Sequence, residues 1–200
     1  MMNFLTSGAT ALLLFTSVAV VADELELVRA DYGRAEKRID VTEAVRDKTA
    51  YLPGTFLAVE AGNWLLPEKT PDPAPGQQKE LRLFYRNAEG EQCCSVKEYQ
   101  RRLITVPEIT PGTELKIERA FWGVGSTWKE VTLQVKTILE TGKTIQGDLR
   151  GVLRVPDPAV GKHKFLLVIY SRDGKVLFTK VHDHAGKLKL EDLKAKEYRK

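Results

Sequence analysis

The 200-residue sequence predicts a mainly β fold: two tandem, sandwich-like β modules, each with one short helix, behind a cleavable signal peptide. Three observations carry that expectation. The chain repeats itself, each copy holds strand-like apolar patterns closed by tight turns, and the N-terminus is an uncharged apolar run. The repeat is the strongest of these. Pro71–Tyr85 recurs as Pro156–Tyr170 with eight of fifteen positions identical. Upstream, Arg29–Gly33 and Asp40–Val45 recur in the same order as Arg119–Gly123 and Glu130–Val135. The repeating unit is therefore a module of roughly 80 residues.

Residues 1–22 carry no charged side chain, and Ala11–Ala22 is an apolar run too short to span a bilayer, which takes about 20 residues. Val20 and Ala22 before Asp23 fit the small-residue cleavage rule, so export to the periplasm, envelope or exterior is expected, with a retained N-terminal anchor as the alternative. The first module then covers residues 23–108, a linker with Pro111-Gly112 covers 109–114, the second module covers 115–190, and 191–200 is a basic tail.

Each module opens with a strand. Leu25, Leu27 and Ala30 lead into Tyr32-Gly33, as Leu115, Ile117 and Ala120 lead into Trp122-Gly123. Thr42 and Thr132 are placed to cap short helices over 43–49 and 133–139 through their hydroxyls. Residues 51–70, with Pro53-Gly54, Gly62-Asn63 and Pro67, read as irregular. The Pro-rich bend that follows is pre-set by proline and released at Gly76 or Gly161.

The clearest strands come next. Leu81, Leu83 and Tyr85 alternate with Glu80, Arg82 and Arg86, the pattern of a half-buried strand. Phe165–Tyr170 is unbroken apolar sequence, the pattern of a strand covered on both faces. Its outer face, Phe165, Leu167 and Ile169, has to meet the other module, a helix or a partner chain. Asn87–Gly90 and Arg172–Gly174 read as hairpin turns, with return strands at 92–96 and 175–181 and last short strands at 103–106 and 187–190.

Charge is uneven. Residues 23–110 hold 13 Lys/Arg against 16 Asp/Glu, and residues 111–200 hold 18 against 11. The basic stretch Lys187–Lys200 suits a weak contact with an anionic surface, although a solvated basic end has the same composition. Cys93 and Cys94 are neighbours whose side chains leave a strand on opposite faces, which disfavours a bridge between them. The second module carries Leu177 and Phe178 there, so packing is the expected role.

The repeated motifs are Ala30, Tyr32, Gly33, Asp40, Val41, Thr42, Val45, Asp72, Pro73, Gly76, Lys79, Leu81 and Tyr85 in the first copy. In the second they are Ala120, Trp122, Gly123, Val131, Thr132, Val135, Asp157, Pro158, Gly161, Lys164, Leu166 and Tyr170. This ordered set resembles the DnaJ-like subfamily C member eleven C-terminal domain, present twice and without a J-domain. Trp122 for Tyr and Glu130 for Asp are departures. The resemblance implies no catalytic residues, and without a His-Pro-Asp motif it implies no stimulation of an Hsp70 ATPase.

Four sets of residues are candidates for chemistry or binding. Asp72 and Asp157 form a repeated carboxylate pair, read as turn acceptors before proline, with Lys79 and Lys164 closing the same turn or facing an anionic ligand. Trp128, beside Phe121, Trp122 and the loop 123–127, suits sugar stacking or an interface. Phe165, Leu167 and Ile169 are a candidate binding surface. His182 and His184, one residue apart on a strand, share a face and are weak metal candidates; no metal or other cofactor is expected. No nucleophile elbow, phosphate loop, dinucleotide fingerprint or zincin motif is present. The expected function is a non-catalytic exported module that binds or organises protein or other envelope components, with no nucleic-acid partner. A carbohydrate-binding module is the alternative, and a hydrolase-like enzyme has the least support.

Overall fold

The computed structural model describes residues 25–195; the expected signal peptide and residues 196–200 of the basic tail lie outside them. Strand makes up 44% of the structure and helix 17%, so the mainly β expectation holds.

The first module consists of β1 (Glu26–Arg34), β2 (Lys37–Asp40), α1 (Thr42–Lys48), β3 (Ala50–Leu52), β4 (Phe56–Glu60), a 3-10 turn at Asn63–Leu65, β5 (Glu80–Asn87), β6 (Gly90–Lys97) and β7 (Arg101–Thr105). The second consists of β8 (Lys116–Val124), β9 (Thr127–Glu130), α2 (Thr132–Glu140), β10 (Ile145–Gln146), α3 (Leu149–Leu153), β11 (Phe165–Arg172), β12 (Lys175–His182), β13 (Lys187–Leu188) and α4 (Leu190–Lys194). The second module thus has three short helices rather than one. Its large antiparallel sheet, β12-β11-β8-β9, matches β2-β1-β5-β6 of the first. The smaller sheets differ: β3-β4-β7 in the first module, only β10-β13 in the second.

The repeated motifs make repeated contacts. Val41 N–H donates to the Ala30 carbonyl and Val131 N–H to that of Ala120, at 2.9 and 2.8 Å. The Ala30 and Ala120 amides each donate 2.9 Å to the hydroxyl of Thr42 or Thr132. The threonines are therefore not helix caps as expected. They tie the helix start to the first strand, and in the first module the Asp40 carboxylate accepts the Thr42 amide instead. Gly33 and Gly123 sit where a Cβ would come within 2.1 Å of the Lys37 or Thr127 carbonyl oxygen. Only glycine lets the first two strands approach this closely.

The segment 51–70 is not irregular throughout. Within it β4 runs down the middle of the molecule with both faces buried. Leu57 and Val59 enter the core of the first module, while Phe56 and Ala58 enter a second apolar layer with Phe121, Leu167, Ile169 and Phe178. The order through the molecule is therefore large sheet, small sheet, large sheet, and finally β10-β13 with α2, α3 and α4 over the second module's own core. The outer face of β11 thus meets the other module, one of the three partners open to it.

The first sheet cannot be covered the same way. The pair Asp31 and Arg82 occupies the register position that Phe121 and Leu167 hold in the second module. The buried Asp31 carboxylate accepts from Arg82 at 2.7 and 2.8 Å and from Arg38 at 3.1 Å. Charge on this outer face ends the stack.

Two more expectations give way to the observed packing. Cys93 lies opposite Phe84 as Phe178 lies opposite Ile169, and Cys94 opposite Leu83 as Thr179 opposite Val168. The counterparts of the cysteines are therefore Phe178 and Thr179, one residue along, and a one-residue shift in a strand exchanges its faces. Cys93 is exposed, and Cys94 packs against the first core. The second module also runs past residue 190: Leu188 and Leu193 are buried, and Arg172 donates to the Leu193 carbonyl. The stretch 187–195 is core-anchored rather than a free tail.

Candidate functional site

The repeated turn holds, in both copies, an ion pair between a buried lysine and a half-buried aspartate. Asp72 accepts the Ala74 amide at 2.8 Å and Lys79 Nζ at 3.1 Å; Asp157 accepts the Ala159 amide at 2.8 Å and Lys164 Nζ at 3.1 Å. Pro73 and Pro158 follow each acceptor, and Gly76 and Gly161 take left-handed φ values of 71° and 76°. The Asp72 carboxyl is held below the usual range chiefly by the Ala74 N–H. Burial works to raise that of Asp157, but the Ala159 N–H and Lys164 outweigh it. Each aspartate serves its own turn, and the two are not paired with each other.

The first copy is more extensive. Lys79 Nζ also meets Glu98 at 3.2 Å, and Glu98 accepts 2.7 Å from the Tyr32 hydroxyl. Burial alone would depress the Lys79 ammonium; Asp72 and Glu98 more than offset it, so it stays above its ordinary value. Burial and Glu98 together push the Tyr32 phenol far up. Lys79 is 4% exposed. An ammonium so enclosed and so paired serves as a structural staple of the turn.

The expected binding surface is closed. Leu167 and Ile169 are fully buried against the first module. Trp128 donates its indole N–H to the Tyr51 and Gly125 carbonyls, at 3.1 and 2.6 Å. Its ring stands edge-on to Phe56 and Phe165, at 5.4 and 5.0 Å. All four residues are spent on joining the modules. His182 and His184 are not brought together: β12 ends at His182, and His184 turns into the left-handed region with φ 65°.

What the fold leaves open is a trough where three sheet edges meet. Strands β6, β7 and β12 are each the last strand of their sheet. Between them lies a hollow of about 490 Å³ bordered by Tyr85, Gln92, Arg102, Leu103, Thr105 and Val176. A second of about 370 Å³ adjoins it beside Tyr99, Gln100 and Phe178, sharing Leu103 and Val176. On the ladder with β4, Val106 donates to Thr55 and Ala61 to Gln100. Antiparallel alternation then turns the N–H and C=O of Leu103 and Thr105 away from β4, toward the trough. Among the described residues neither finds a backbone partner there.

Lys180 lies on the sheet that backs this edge, its ammonium 5.0 Å over the Phe165 ring. Burial brings its pKa down to about 8, the charge of Arg101 adds to the shift, and Glu60 opposes it. Sequence reasoning misses the trough because reading 51–70 as loop leaves β7 without a partner and therefore without an edge. The run Phe56–Val59 is the signal that could reveal it.

No family model matches the chain, and comparison with curated proteins and with solved structures finds no match either.

Proposed function

We propose that the chain is a non-catalytic, exported tandem β module that binds an extended segment of another cell-envelope protein along β7. The observation that carries this is the unpartnered edge at Leu103 and Thr105 facing the trough. In strand addition, main-chain hydrogen bonds supply affinity and pockets for alternate side chains supply selectivity. The two hollows stand where such pockets are needed. The carbohydrate reading has less support, because Trp128 spends its ring and its N–H between the modules.

The test is a crosslinking pull-down from intact cells with wild type and Thr105→Pro. Proline removes one outward N–H without filling either hollow. The proposal expects a discrete protein captured by wild type and lost with the variant, at an unchanged melting temperature. Amide exchange at Leu103 should also slow when that protein is added. Equal capture by a folded variant, with no protection at Leu103, refutes it.

A further inference from the structure

We infer that Asp148, Asp183 and His184, at a corner of the second module remote in sequence from the β7 edge, form a binding site for a divalent transition-metal ion of the zinc class. One ligand atom from each lies within 4.8 Å of the others. An imidazole nitrogen with two carboxylate oxygens suits such an ion, and three protein ligands leave a coordination position for water.

The backbone holds the set in place. His184 N–H donates 3.0 Å to the Gly147 carbonyl, which fixes the His184 main chain beside the loop carrying Asp148. Asp148 caps α3 by accepting the Arg150 amide through Oδ1, and Asp183 Oδ1 accepts the Leu149 amide at 3.0 Å. Each carboxylate is thereby oriented by a main-chain amide on its Oδ1, and Asp183 Oδ1 is also the oxygen that faces His184.

A second observation points to a cation. The Asp183 side chain is only 8% exposed, yet the nearest basic side chain is His184, its Nε2 3.9 Å from Asp183 Oδ1. Its Oδ2 has no hydrogen-bond donor, and no lysine or arginine pairs with it, among the described residues. A carboxylate this enclosed, with one amide donor and no cationic side chain beside it, gains from a positive charge at the site.

Comparison of the two copies sharpens this. Glu98 is the first module's counterpart of Asp183: its amide donates to the Lys79 carbonyl as that of Asp183 donates to Lys164, at 2.9 and 3.0 Å. Glu98 is equally enclosed, but Lys79 and the Tyr32 hydroxyl satisfy it. In the second module Lys164 turns to Asp157 and to the Ala159 and Lys162 carbonyls, and Trp122 stands in place of Tyr32 with its Nε1 unpaired. Asp183, one methylene shorter than Glu98, is released from the lysine and aimed at His184 and Asp148. Tetrahedral bonds of about 2.0–2.2 Å place ligand atoms roughly 3.3 Å apart. The imidazole of His184, 73% exposed, is free to close that gap.

The test is titration of chelator-treated protein with Co²⁺ and Zn²⁺, read by visible absorption of bound cobalt and by melting temperature. The inference expects one equivalent to bind with a rise in melting temperature. His184→Ala and Asp148→Asn should each weaken binding by more than the roughly 10–100-fold typical of losing an outer-shell partner. Asparagine still caps a helix, so Asp148→Asn is expected to fold. His182→Ala should bind like wild type. Absence of saturable binding by folded wild type, or binding unaffected by His184→Ala, or lost on His182→Ala, overturns it.

Discussion

The indole Nε1 of Trp128 donates 3.1 Å to the main-chain carbonyl of Tyr51, a hydrogen bond that crosses from the second module to the first. With Phe56 and Phe165 on either side, it pins one module to the other. Replacing Trp128 by Ala is expected to cost about 3–5 kcal/mol, the range for removing a large packed aromatic. Urea denaturation checks this, and a loss below about 1 kcal/mol shows that the interface does not depend on it.

Gly33→Ala and Gly123→Ala each set a methyl against main-chain carbonyl oxygen at 2.1 Å. Backbone on both sides leaves no flexible group to yield, so each is expected to destabilise by more than about 3 kcal/mol. At Gly33 the φ of 153° adds strain. Thermal melts of the two variants should move down together; a shift in only one breaks the structural equivalence of the copies.

Lys79→Met strands two carboxylates, one of them only 8% exposed, whereas Lys164→Met strands Asp157 alone, at 19%. Breaking a buried pair costs about 3–5 kcal/mol, and less where water reaches the remaining charge. Lys79→Met should therefore be the more damaging in chemical denaturation, and the reverse order contradicts the staple assigned to Lys79.

Lys180 titrates near pH 8 in the folded protein, below its ordinary value of 10.5, because burial disfavours its charge. Below pH 8 both folded and unfolded chains hold the proton, and the full penalty is present. Between pH 8 and about 10.5 the unfolded chain binds more protons, so stability attributable to this residue rises with pH. Lys180→Met should be more stable than wild type at pH 7, and the gap should narrow by pH 10. A gap independent of pH removes the assigned shift.

Cys93 is exposed, while burial raises the thiol pKa of Cys94. Thiolate is the reactive form. One thiol per chain should therefore label rapidly with a maleimide at neutral pH, and Cys93→Ser should abolish the fast phase. A fast phase surviving that change would place Cys94 at the surface.

Local features are legible in the residue order. The Asp-Pro turn, the glycine before each second strand and the alternation of Leu81, Leu83 and Tyr85 each express a constraint between residues close in sequence. The double burial of β11 is legible too, as an unbroken apolar run. The role of Asp183 is not, since its neighbours Asp148 and His184 are gathered by a loop and a left-handed turn. The Tyr51–Thr70 segment hides its strand because Pro53-Gly54 and Gly62-Asn63 flank only five residues of it, Phe56–Glu60.

Residue order alone determined a mainly β chain, with one strand in its second half buried on both faces. Tertiary packing chose what buries that strand. Both large sheets present an outer face, but on one Asp31 forms an ion-pair cluster with Arg38 and Arg82, while Phe121 and Leu167 close the other against β4. That choice also left β7 at an open edge, because apolar faces exclude water from any direction whereas strand edges need a partner at a defined distance and register.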